Sequence, residues 1–145
     1  MDTFGADAPY YGAYEKRYSA VYAAGVRYWG FTPDNAELRE ILRSWVEENS
    51  LTGRLVLEFA CGEGAAGATL SSLGCIYTGA DYAPSAVERA RQTLAPYPDA
   101  TVLQLDLTRE HVQGVFDAGL DIMGFHMMVT DSDREAYLAN MHDSL

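Results

Sequence analysis

The chain has 145 residues, 48% of them hydrophobic, and a formal net charge of −11. That is one domain's worth of chain, enough to bury a core without disulfides or metals. Ten Lys and Arg among 21 acids supply no basic footprint, which argues against nucleic acid and against an anionic membrane surface as partners. No apolar run approaches the roughly 20 residues of a membrane span, and no basic leader with an apolar stretch opens the chain, so the expected location is cytoplasmic. Cys61 and Cys75 are expected as reduced, buried thiols. The three histidines show no metal-ligand spacing, so no metal is expected.

In chain order, Tyr11, Tyr14, Tyr18 and Tyr22 recur at spacings of three and four, one face of a helix that Val26 and Trp29 would continue. Thr32 is the candidate N-cap of a second helix with Pro33 at its first position. That helix carries Leu38, Ile41, Leu42, Trp45 and Val46 on one face and ends near Asn49. From Arg54 the texture changes. RLVLEF reads as a buried strand, followed by a glycine loop and a small-residue helix to about Leu73. CIYTGAD is a second strand, Pro84 to Leu94 a helix, TVLQLD a third strand, and DAGLDIMGF contains a fourth. Asp131 or Ser132 would cap a last helix running towards Met141. Strands alternating with helices at this spacing imply an α/β fold, a three-layer doubly wound parallel sheet behind two N-terminal helices. Residues 1–50 would form a helical cap and 51–145 the core.

Gly62, Gly64 and Gly67 spell G-x-G-x-x-G between the first strand and its helix. Such a loop lets a backbone approach a ligand closely, although glycines there also serve plain helix–strand packing. Asp81 ends the second strand, where a carboxylate can accept from both ribose hydroxyls of an adenine nucleoside; a strand-end turn acid is the bland alternative. Asp106 ends the third strand, as an acceptor for an adenine amino group or as a turn acid. Glu58 lies just below the loop. An anion there is a poor neighbour for a pyrophosphate but suits a cation, and S-adenosylmethionine carries a sulfonium and an α-ammonium. The first strand also starts late, unlike the dinucleotide fingerprint.

The segments VLEFACGEG, GADYAPSAVERAR, LQLDL and FDAGLDIMGFHMM, in that order, resemble the signature segments of class I S-adenosylmethionine-dependent methyltransferases, from about Arg54 onward. Ala60 departs from the pattern, since the family most often has glycine there; a slightly altered turn is expected. The aromatic prelude resembles the N-terminal cap of members that act on small molecules. The resemblance implies S-adenosylmethionine as cofactor, S-adenosylhomocysteine as product and a Rossmann-like strand order of 3-2-1-4. It places the backbone from Ala60 through Cys61 and Gly62 to Gly64 along the methionine part, with Glu58 beneath. It gives the ribose to Asp81, the adenine faces and edge to Tyr82, Asp106 and Leu107, and the border of the methyl-transfer site to Phe125 and His126. His126 is the one candidate general base; simple packing is its alternative. Tyr11, Tyr14, Tyr18 and Trp29 could enclose a small-molecule acceptor or simply dock the helix.

The family core usually has seven strands, so the chain is expected to be the N-terminal two-thirds of a member, truncated after the fourth strand. A complete short form that covers an apolar fourth-strand edge by homodimerisation is the alternative. An NAD-linked oxidoreductase and a methyltransferase-like binding module without turnover are the rival functions.

Overall fold

The computed structural model describes residues 9–145; residues 1–8, part of the expected cap, lie outside it. After a 3-10 turn at Tyr10–Gly12 come helices α1 (Ala13–Ala23) and α2 (Ala36–Asn49). The alternating part follows as β1 (Leu55–Phe59), α3 (Ala65–Ser72), β2 (Ile76–Asp81), α4 (Pro84–Leu94), β3 (Thr101–Gln104), β4 (Ala118–Asp121), a 3-10 turn at Phe125–Met127 and α5 (Asp131–Asp143). All pairings are parallel and the strand order is 3-2-1-4, as expected. The central strand β1 pairs Leu55 to Phe59 with Ile76 to Ala80 on one side and Val56 to Phe59 with Ala118 to Asp121 on the other.

Alternation along β1 splits the core. Val56 joins Tyr77, Leu70, Val87 and the α2 residues Leu38, Leu42 and Val46 on one face. Leu57 and Phe59 join Leu107, Met128, Tyr137 and Tyr11 on the other. The period of two places Glu58 on the Val56 side of the sheet.

Several boundaries differ from the sequence expectation, each for a local reason. Helix α1 stops at Ala23 and does not reach Trp29, because Gly25 takes a left-handed φ of +83°. Helix α2 is capped by Asn35, whose side chain accepts from Leu38 N at 2.9 Å, and not by Thr32, whose carbonyl is spent on the preceding turn. Helix α5 is capped by Thr130, which accepts from Asp133 N, not by Asp131 or Ser132. Strand β3 ends at Gln104, so Asp106 stands two residues beyond it. Of DIMGF only Asp121 lies in β4. The outer strand of the described sheet is therefore four partly buried residues ending in an acid, less inviting to a second copy than the apolar edge expected.

Gly67 and Tyr77 show how tightly α3 sits on the sheet. A Cβ added at Gly67 would lie 2.5 and 2.6 Å from two carbons of the fully buried Tyr77 ring. Gly67→Ala is expected to cost about 1–3 kcal/mol by overpacking, read as a melting temperature lower by roughly 3–10 °C. An unchanged melting temperature would mean that the ring is free to move aside.

Candidate active site

The carboxyl ends of β1, β2 and β3 and the turn after β4 open onto one cleft, roofed by α1. Parallel strands leave this edge free for loops, where α/β sheets commonly seat ligands. From the sheet, Glu58, Ala60, Cys61, Gly62 and Asp81 line it, and Tyr82, Asp106 and Leu107 continue the wall. From the cap come Tyr11, Tyr14 and Tyr18.

The glycine loop begins with Ala60 at φ +53°, a left-handed conformation that glycine adopts freely and alanine does not. Gly62 follows at +54° and Gly64 at +85°. Cys61 N donates to Ala80 O at 3.0 Å, which fastens the loop to β2. Burial pushes the Cys61 thiol up, so it is an inert packing group. The three glycines divide their work. Gly62 lines the cleft, whereas a Cβ at Gly64 would meet Ala90 Cα of α4 at 3.2 Å and one at Gly67 would strike Tyr77. Two of the three therefore serve packing.

Asp81 faces the start of this loop. Its Oδ2 accepts from Gly62 N and its Oδ1 from Ala83 N, both at 2.9 Å. A carboxylate offers about four acceptor positions, so with the Tyr82 amide also close by capacity remains for a hydroxyl donor in the cleft. Burial raises the Asp81 carboxyl, opposed by these backbone donors. Glu58 is 2% exposed and its Oε1 accepts from Tyr77 OH at 2.5 Å. Its carboxyl is raised to about 8, chiefly by desolvation and in addition by Asp121 and Asp81, with the Tyr77 bond opposing the rise. Asp106 is engaged as a turn acid: its Oδ1 accepts from Thr108 N and Oγ1, and its Oδ2 from Tyr11 OH at 2.5 Å. The Tyr11 ring stands edge-on to Tyr82 at 5.0 Å.

Residues 56–145 match the family described as methyltransferase domain. The chain belongs to that family. A solved TehB-like SAM-dependent methyltransferase from Corynebacterium glutamicum is 25% identical with a TM-score of 0.64, covering 92% of this methyltransferase-domain chain and 65% of its own. An amino pentose methyltransferase from Micromonospora echinaspora, solved with SAM bound, is 20% identical with a TM-score of 0.66, over 97% of this chain and 55% of that one. The glycopeptide N-methyltransferase MtfA complexed with SAM is 22% identical with a TM-score of 0.65, over 83% and 55% respectively. The chain thus spans less than two thirds of the length of these solved relatives. No curated protein sequence matches it.

Four expected site residues of this methyltransferase domain stand outside the cleft wall. Gly64 packs on α4, as above. Trp29 lies behind the roof, edge-on to Tyr18 at 5.0 Å and 39% exposed. Phe125 packs against Tyr137 and His126 is exposed, because Asp121 Oδ1 takes Gly124 N and Phe125 N and curls the chain into a 3-10 turn. Gly124, Met127 and Met128 of that turn reach the cleft in their place. Among the described residues no group of His, Cys, Asp and Glu could hold a metal ion, and no helix is long and apolar enough to cross a membrane.

Sequence reasoning missed Glu63. This buried carboxylate accepts from Tyr22 OH at 2.7 Å, Trp29 N at 2.9 Å and Gly30 N at 2.8 Å, tying the cap to the glycine loop. The signal was an acid between two glycines just before a helix; its partners, 33 to 41 residues away, left no local trace. Glu15 of α1 is a second tie, accepting from Ser85 N at 3.0 Å and from Ser85 Oγ at the start of α4.

Glu63→Ala is expected to cost about 1–3 kcal/mol and to speed hydrogen exchange at the Trp29 and Gly30 amides; unchanged exchange would mean that the cap holds without this tie. For Glu58 the unfolded carboxyl titrates near ~4.3 and the folded one at about 8. Between these values the folded chain keeps a proton that the unfolded chain has lost, so stability falls as pH rises from about 5 to 8, by at most ~1.4 kcal/mol per unit. Glu58→Gln is expected to flatten that slope in urea unfolding; Asp81, raised in the same direction, leaves a remainder. An equally steep slope in the variant would remove Glu58 as its source.

Proposed function

We propose that the cleft binds S-adenosylmethionine and that the protein transfers its methyl group to a small-molecule acceptor. The observation that carries this reading is Asp81, fixed by Gly62 N and Ala83 N at the lip of the glycine loop with acceptor capacity to spare. The donor set fits the cofactor: a paired acceptor for ribose hydroxyls, loop backbone for the amino-acid part, and Glu58 in the cleft wall for a cation. Tyr82 and Leu107 flank the position for the adenine, while Asp106 reaches it only if Tyr11 shares its carboxylate. Glu58, when ionised, would also discourage a pyrophosphate, which weighs against NAD, whereas Asp81 suits the ribose of either nucleotide.

The bound cofactor supplies an activated methyl group, displaced in line by the acceptor's nucleophile. The chain's own residues then need only orient and exclude water. Asp81 and the loop hold the adenosine and methionine ends, and the described part of the N-terminal cap closes the cleft with Tyr11, Tyr14 and Tyr18. No base is required of His126, which is exposed. A small acceptor is supported by the aromatic roof, by the net charge of −11, and by solved relatives described as amino pentose and glycopeptide methyltransferases.

Calorimetric titration with S-adenosylhomocysteine and, in parallel, NAD tests the reading. Binding of the first alone is expected, with Asp81→Ala weakening it by at least about tenfold through loss of charge-assisted hydrogen bonds. Equal affinity for NAD, or an Asp81→Ala variant that binds as the wild type does, would count against it.

A further inference from the structure

Tyr77 is fully buried on β2, yet it carries a hydroxyl that an apolar residue of similar size would not need to satisfy. Its slot exists because positions 67 and 79 are glycine: an added Cβ would lie 2.5 Å from a ring carbon at Gly67 and 2.5 Å from the phenol oxygen at Gly79. The phenol ends on Glu58 Oε1, in the wall of the cleft. Around Glu58, Asp121 from β4 and Asp81 from β2 oppose its charge, while Tyr137 of α5 and Cys61 of the loop are neutral titratable neighbours. The Tyr77 bond is thus set against burial and two acids. We propose that Tyr77 is a positioning residue for the cofactor: by donating to Glu58 Oε1 it fixes the carboxyl group and favours the ionised form that the cation of S-adenosylmethionine would draw out. This rests on the cofactor reading of the cleft. It adds a buried residue that touches no ligand but sets how strongly, and at what pH, the cation is held.

The test compares wild type, Tyr77→Phe, Glu58→Gln and the double variant. Affinities for S-adenosylmethionine and S-adenosylhomocysteine are measured from pH 6 to 8, and the Glu58 carboxyl carbon is followed by NMR in the ligand-free chains. Tyr77→Phe keeps the ring and its packing. It is expected to weaken S-adenosylmethionine roughly tenfold at pH 7, less at pH 8, and to weaken S-adenosylhomocysteine less because it lacks the sulfonium. The Glu58 titration should move upward. In the Glu58→Gln background the same change should alter affinity by less than about twofold, since a neutral amide gains less from the donor. The ligand's own ammonium titrates identically against every variant and cancels in the ratios. An equal loss at every pH and for both ligands would reveal a merely structural tyrosine and overturn the proposal, as would an unmoved Glu58 titration. If wild type binds neither ligand, the cofactor reading fails, and the ligand-free titration still decides whether Tyr77 governs Glu58. Should Tyr77→Phe not fold, the Tyr77 ζ-carbon of the wild-type chain must titrate together with Glu58; a flat shift overturns the proposal.

Discussion

The site depends on parallel pairing to both sides of β1. Because β2 and β4 run alongside it in the same direction, their carboxyl ends meet at one edge, and the acids that end them meet as well. Glu58, Asp81 and Asp121 crowd one region, and burial together with the two aspartates makes ionisation of Glu58 harder. The structure answers this with donors. Gly62 N and Ala83 N serve Asp81, Gly124 N and Phe125 N serve Asp121, and the Tyr77 and Tyr137 hydroxyls serve Glu58 and Asp121. What remains is a cleft whose wall is short of positive charge. On the proposed function, a cationic ligand completes it.

The cap is part of the same arrangement. Helix α1 has no fully buried residue, so its hold on the core comes chiefly from polar and aromatic contacts. Glu63 gathers the Tyr22 hydroxyl of α1 and two amides from the segment between α1 and α2, Arg89 of α4 lies 4.4 Å over the Tyr22 ring, and Tyr11 reaches Asp106. Contacts of this kind are individually modest and easily exchanged for water. They suit a roof that must admit a ligand, where a deep apolar seam would not.

The sheet was legible because the parallel strands, most deeply buried at β1 and β2, read as short apolar runs between turn residues, and the strand order followed from the family resemblance. The cleft wall was legible in outline for the same reason: strand-end residues are fixed once the strands are. Errors gathered where a single side chain decides the path. The aromatic period was carried across Ala24 and Gly25, although a glycine after a helix is the usual left-handed stop. Thr32 and Asn35 are both competent caps, and only the turn that uses the Thr32 carbonyl selects the second. Asp121 bends the chain after β4, which turned His126 outward in a way no periodicity announces. Glu63 was invisible because an acid's partners across 33 residues are a tertiary fact.

Glu15 carries a consequence for nucleotide choice. The first turn of α4 follows Asp81 directly, and in doubly wound folds this is where an additional phosphate on the adenosine ribose would be received by free backbone N–H groups. Here Ser85 N and its hydroxyl are already given to a carboxylate from α1. The positive end of that helix is spent inside the protein, and a 2′-phosphorylated nucleoside would meet a negative charge in the place of a cradle. On the proposed function, discrimination against such ligands would rest with α1, which lies outside the glycine loop and the sheet.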